Sequence, residues 1–388
     1  MTTASPIKKT WRLAVAAVAL MAALFTVAQS GPASASVRAQ AKPSLTASSH
    51  GPLKVALILD GSAHDGDYNQ LGYTDFEAAI RQFGSRVEAT VEQNIPEGPT
   101  VAPLVDGLIG SGYTLFFIHG TGYETYLKPV AQAHPQIRIE EFESAVTARN
   151  YGAYNIDIAQ SAYLGGMMLA AASKTGHLGI VASFPFPGIL TQINGVELGA
   201  KAIKPRATLH VLFVSSFYDP AKEGQAAQAL ISAGADGIVD IQNDPAACET
   251  AQRDHVPCVG QTLVNGPSYG PTTYLADFRF IWTPIYKQVL SDVLAKRSVP
   301  KSIFAGYPQG ATGLGPFGRA YNRLVPAPIR AKIAAKAVAL RAGKFHVYEG
   351  PLVDQQGQVK VRAGHRLTVS QILSLNWVVK GVIGNVKV

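Results

Sequence analysis

The sequence predicts an α/β protein of two lobes, each a parallel sheet flanked by helices, with a ligand cleft between them. Three observations carry this. From residue 53 onward short apolar runs alternate with amphipathic stretches. The runs are rich in Val, Ile, Leu and Phe and show little polar alternation, as strands buried on both faces of a parallel sheet do. The same order of elements then restarts after NYGAYNIDI, residues 150–158. A chain of this length also exceeds one comfortable core, so two lobes are the default.

The elements follow in order. LKVALILD is a strand, and Asp75 to Phe83 has helical spacing. RVEATVEQ, TLFFIHG and IRIEEFE are strands, separated by helices over Thr100 to Gly110 and in LKPVAQAHP. In the second half Ala159 to Thr175 is a long helix whose Gly165-Gly166 pair permits close approach of a neighbour. HLGIVASF, TLHVLFVS, GIVDIQ and VPCVGQ are strands, with helices over Ile189 to Ile203 and Ala221 to Ala233.

The N-terminus carries Lys8, Lys9 and Arg12, an apolar run from Leu13 to Ala28 and the small residues Ala33-Ser34-Ala35. This is the pattern of a cleaved secretory signal peptide, residues 1–35. The run of about sixteen residues falls short of the roughly 20 that cross a bilayer. Cleavage after Ala35 would lower the formal charge from +8 to +5. No arginine-rich arm or lysine cluster stands out, so nucleic acid is not an expected partner. No cysteine lies near the cleavage site to carry a lipid anchor, which leaves a periplasmic or secreted protein without a membrane anchor. Residues 36–52 read as a disordered leader. Cys248 and Cys258, the only cysteines, are expected to pair in an oxidising compartment, with buried free thiols the alternative. Beside them His255 alone is too little for a zinc site.

In open α/β sheets ligands sit outside the carboxyl ends of the strands. The loops there are HDGDYNQ, HGTGYET, FPFPG, SSFYDP, IQNDP and QTLVNG. They combine aromatics (Tyr68, Tyr123, Phe184, Phe186, Phe217, Tyr218) with amides and carboxylates (Asp67, Asn69, Gln70, Asn243, Asp244, Gln261). Rings that stack and amides that read hydrogen-bonding edges suit a planar polar small molecule. Neither G-x-G-x-x-G nor G-x-x-x-x-G-K-[ST] stands at a strand end, which disfavours dinucleotides and triphosphates. No G-x-S-x-G elbow or H-E-x-x-H motif occurs, so no enzyme, cofactor or metal is expected.

DGDYNQ resembles the D-x-S-F-N-Q element of the basic membrane protein (BMP) family of ABC-transporter solute receptors, which includes the purine nucleoside receptor lipoproteins. The likeness continues through NYGAYNIDIAQSAYLGG, KTGHLGIVASFPFP, INGVELGAKAIKP, SSFYDPAKE and ALISAGADGI. It ends in LRAGKFHVYEGPLVDQQGQVKVRAG and LNWVVKGVIG, similar to the tail of the Gram-negative branch. The resemblance implies a type I periplasmic-binding-protein fold, a purine-like ligand stacked between aromatic side chains of two closing lobes, and an ABC permease as partner of a monomeric receptor. Tyr68 and Asn69 match the family's first ligand loop, and Phe217 its second stacking position. Asn243 and Asp244 occupy a loop where polar contacts are expected. Thr262 stands near the family's ribose-gripping acid, which would favour a nucleobase over a nucleoside.

The expected organisation is lobe 1 from 53–155 plus 274–305, lobe 2 from 156–273 plus 306–350, and a tail, 351–388, packed on both. A sensor that presents its bound form to a membrane receptor would share the fold. An enzyme acting on nucleosides would need His64, Asp65 or Asp67 as its base.

Overall fold

The computed structural model describes residues 51–386. The expected signal peptide and nearly all of the leader lie outside the described residues. The strands are β1 (Leu53–Leu59), β2 (Val87–Glu92), β3 (Leu115–His119), β4 (Arg138–Phe142), β5 (Tyr151–Ile156), β6 (His177–Ala182), β7 (Thr208–Phe213), β8 (Ile238–Ile241), β9 (Cys258–Gln261), β10 (Tyr274–Phe280), β11 (Ser302–Ala305), β12 (Thr312–Gly315), β13 (Leu352–Val353), β14 (Val359–Val361) and β15 (Val382–Ile383). The helices are α1 (Tyr68–Arg81), α2 (Val101–Gly110), α3 (Glu124–Ala133), α4 (Ala159–Ala172), α5 (Pro187–Ile203), α6 (Pro220–Ser232), α7 (Ala246–Arg253), α8 (Gly266–Tyr269), α9 (Thr283–Leu294), α10 (Arg319–Leu324), α11 (Ala327–Arg341) and α12 (Val369–Leu373).

Two sheets result. The first has the order β11-β5-β4-β3-β1-β2 and is parallel throughout. The second has the order β12-β10-β9-β8-β6-β7-β15, parallel except for the antiparallel β10–β12 pair. Central strands such as β3 and β5 are buried along their whole length, as their largely apolar composition favours.

The strand Tyr274–Phe280 corrects the expected lobe boundary. It pairs with β9 from Tyr274↔Cys258 and so belongs to the second sheet rather than to the first. Six of its seven residues are buried there. The chain therefore crosses between lobes after Phe280 and not near Tyr274. Asp75 of α1 receives that crossing: its carboxylate accepts the Trp282 backbone N–H and the Thr283 hydroxyl, each at 2.7 Å, capping α9 from another helix. The other crossings join β5 to α4 and β11 to β12. The C-terminal segment adds a hairpin of β13 and β14 and lays β15 beside β7.

Helices α4 and α5 pack backbone to backbone. A methyl on Gly166 would overlap the Val196 carbonyl, and one on Gly199 the Tyr163 carbonyl. At Gly195 it would lie 2.7 Å from the Ala159 oxygen. Gly165 instead faces the Phe278 ring at 3.0 Å and a Val259 methyl at 3.2 Å, which are side chains able to shift. Cys248 on α7 and Cys258 on β9 form a disulfide with a Cα separation of 5.5 Å, both residues fully buried.

Gly199→Ala is expected to destabilise the protein by about 2 kcal/mol or more, because backbone must move. Gly165→Ala should be near neutral, its helix-propensity gain of about 1 kcal/mol offsetting the crowding. Urea unfolding of both variants gives the comparison, and equal stabilities would contradict the seam. Cys248→Ser with Cys258→Ser should lower unfolding free energy by roughly 2–3 kcal/mol in the same assay.

Candidate functional site

The carboxyl ends of eight strands, four from each sheet, converge on one cleft of about 600 Å³. Its size is that of a small-molecule site. The first sheet contributes Asp60 and Tyr68 beyond β1, Asn94 and Glu97 beyond β2, Thr121 and Tyr123 beyond β3, and Phe142 and Glu143 at the end of β4. From the second sheet come Phe186, Phe217, Asn243 and Gln261, following β6, β7, β8 and β9 in turn.

HDGDYNQ is built around Asp65. Its carboxylate accepts the backbone N–H groups of Asp67, Asn69 and Gln70 at 2.9 to 3.1 Å, together with the Asn69 amide at 3.0 Å. These are the free donors of a helix start, so Asp65 closes the N-terminus of α1. The helix begins at Tyr68, not near Asp75, and Tyr68 and Asn69 enter the cleft from its first turn. Tyr68 is held by His119 at 4.3 Å between ring centroids and by Trp282 at 5.3 Å, edge-on. Across the cleft Phe217 packs against Phe184 at 5.1 Å and Phe186 at 6.0 Å, leaving 36% of its surface exposed. Tyr123 supplies a ring wall only, since its hydroxyl donates to the Ile95 carbonyl at 2.6 Å.

The electrostatics are one-sided. Asp60, Asp65, Glu97 and Glu143 line the cleft, and among the described residues no Lys, Arg or His does. Burial pushes Asp60 up to about 6, with the Asn69 amide restraining the rise, and its Oδ1 has no hydrogen-bond partner. Burial also pushes Glu143 up to about 7. Buried carboxylates without cations favour ligands that bring hydrogen-bond donors or positive charge and oppose phosphates. No group of three His, Cys, Asp or Glu among the described residues is placed to hold a metal ion.

Residues 53–257 match the sequence profile of the family described as Bmp, ABC transporter substrate-binding protein PnrA-like. The chain belongs to this family. The Bmp proteins are substrate-binding components of ABC transporters and not enzymes. Over 330 residues this member is 27% identical to a protein named as purine-binding from Brucella abortus (strain 2308), covering 85% of this chain and 93% of that one. It is 33% identical over 178 residues, 45% of each chain, to a putative ABC transporter glucose-binding protein of Haloferax volcanii. An ABC transporter solute-binding protein of Conexibacter woesei superimposes with a TM-score of 0.63 at 23% identity, covering 76% of this chain and 98% of the other, which shows the shared fold.

Three expected site residues of this Bmp protein do not line the cleft. Asp67 is fully buried beneath it, facing Thr262 and the neighbouring Asp240, and burial first and then that carboxylate hold it well above the usual range. Thr262 is 1% exposed, so its place in the sequence is no guide to how the cleft grips a diol. Asp244 accepts the Ala246 N–H at 2.8 Å and starts α7. Tyr68, Asn69, Tyr123, Phe186, Phe217 and Asn243 do line it. Sequence reasoning missed Asp60, Glu97, Phe142 and Glu143. Asp60 was detectable, as the acid that ends an apolar strand.

Many carboxyls share Asp60's direction of shift. Burial raises Asp157, Glu140 and Asp277 to about 7 each, although Arg138 and Arg279 oppose the rise in the last two. The folded protein then holds protons that the unfolded chain releases above about pH 4, so stability falls as pH rises through 6 and 7. His119, lowered to about 3 by burial, works the other way below about pH 6.5 but is outnumbered. The thermal midpoint is expected to be higher at pH 5.5 than at 7.5. A midpoint that rises over this interval would show that the buried carboxyls are ionised at no cost.

Proposed function

We propose that the protein is the receptor of an ABC importer for a purine-type nucleobase or nucleoside, working outside the cytoplasmic membrane. The observation that carries this reading is a cleft with aromatic rings from both lobes, Tyr68 and Phe142 on one and Phe186 and Phe217 on the other, beside unpaired carboxylates and amides. A purine presents two apolar faces to rings and an edge of ring N–H and exocyclic amine donors to groups such as Asp60 and Glu143. The retained acids also suit ribose hydroxyls, so nucleosides belong to the ligand class alongside nucleobases. The similarity to the purine-binding Brucella protein supports the choice, and no cation among the described residues lines the cleft for a phosphate. Ligand that touches both lobes shifts the population towards the closed form that an importer recognises. Export fits the N-terminal sequence pattern, and no helix among the described residues is long and apolar enough to cross a membrane.

A thermal-shift screen with nucleobases, nucleosides, ribose and glucose tests the reading, since a ligand at a thousandfold excess over Kd adds about 4 kcal/mol of stability. Adenine, guanine, hypoxanthine or their nucleosides should raise the midpoint. A response to glucose or ribose alone would overturn the purine reading. With the responding ligand, Phe217→Ala should weaken binding roughly tenfold, the order of one lost stacking contact. The ligand-free midpoint should stay in place because the ring is partly exposed.

A further inference from the structure

Residues 293–348 contain ten Lys and Arg and no Asp or Glu. The whole chain has a formal charge of +8, and without this stretch it would be −2. Apart from Lys296-Arg297 the cations are not contiguous, which hides them in the sequence, but α11 gathers Arg330, Lys332, Lys336 and Arg341 on one helix, with Lys344 just past its end. Of the ten, only Arg297 pairs with an acid among the described residues. Lys336 lies over the Phe345 ring at 3.6 Å.

Helix α11 buries Ile333 and Leu340 and packs on α4. Its opposite face is a stripe of Ala331, Ala335, Val338 and Ala342, spaced i, i+4, i+7, i+11, all exposed, with Val338 at 67%. The stripe has no hydrogen-bonding side chain, and cations flank it. Beside it runs a groove of about 350 Å³ with Met167, Ile203 and Ala339 among its walls and Lys332 and Lys336 on its rim. We propose that this face of α11 docks the protein on an anionic phospholipid surface. The cations meet head-group charge while the alanine and valine stripe settles at the head-group boundary, as in helices that lie along a membrane. An acidic protein would satisfy the charge but leave the stripe and groove unused.

Co-sedimentation of the full protein with vesicles provides the test. Binding to phosphatidylcholine vesicles containing phosphatidylglycerol is expected at low ionic strength, with little binding to phosphatidylcholine alone. It should fade as salt rises to about 0.5 M, where screening confines charge interactions to a few ångströms. The triple variant Lys332→Gln, Arg341→Gln, Lys344→Gln should bind at least tenfold more weakly, each cation being worth about fivefold near such a surface. Val338→Asn should also weaken binding, through the stripe and without a change of charge, whereas Lys222→Gln on α6 should not. Unaltered ligand-free thermal midpoints verify that the variants fold. No binding to phosphatidylglycerol vesicles overturns the proposal and redirects the patch to an acidic protein. Equal binding to both vesicle types, or by the triple variant and the parent, overturns it as well.

Discussion

The seam between α4 and α5 is the constraint on which the rest of the molecule hangs. Three glycines let the two helices touch through main chain, so their separation is set by backbone atoms that cannot repack. Helix α4 leaves directly from the first crossing at Asp157–Ile158, and α5 starts at Phe186 and Pro187 in the cleft. One rigid pair therefore fixes both a crossing point and one wall of the site. The C-terminal segment is fastened to the same pair: Asn194 of α5 donates to the Trp377 carbonyl at 3.1 Å and accepts the Val379 N–H at 2.8 Å. Helix α11 rests on α4 as well, so the basic outer face belongs to the second lobe.

The cleft end of this arrangement carries its strain. Asn94, Glu143, Ser215 and Thr262 have φ between 54° and 58°, and each follows the end of a strand. Left-handed backbone is disfavoured for such residues, and its recurrence at strand ends turns the chain abruptly where side chains must be aimed. Glu143 shows the result. Its carboxylate reaches across to the start of α5, where a methyl on Gly188 would lie 2.6 Å from both oxygens. A helix N-terminus favours negative charge, so this acid of the first lobe meets a complementary feature of the second.

What was legible in the sequence follows from which interactions are local. Unbroken apolar runs mark parallel strands wherever both faces are covered, and the restart after residue 158 marked the second sheet. Tyr68 and Phe217 could be placed from their loops. Asp67 and Thr262 could not, because the turn made by Asp65 rotates Asp67 away from the cleft and a positive φ at Thr262 does likewise. The boundary at Tyr274 failed for a different reason: whether a buried strand joins one sheet or the other is decided by pairing partners distant in sequence. The basic face was overlooked because helical spacing spreads its cations along the chain.

Asp67 also sets a cost on the contact between the two lobes. Its loop reaches from the first lobe into the second, where the Gly66 carbonyl accepts the Val264 N–H at 2.8 Å. That contact buries the Asp67 carboxylate near Asp240, with Asp65 on its own loop and Asp277 on β10 adding like charge and both of its oxygens unpartnered. Arg279 is taken up by Asp277 and the Leu263 carbonyl, so no cation is left to compensate. Bringing the lobes together at neutral pH thus requires removing a carboxylate from water or protonating it, and either costs free energy. Contacts that a ligand makes with both walls of the cleft can offset that cost.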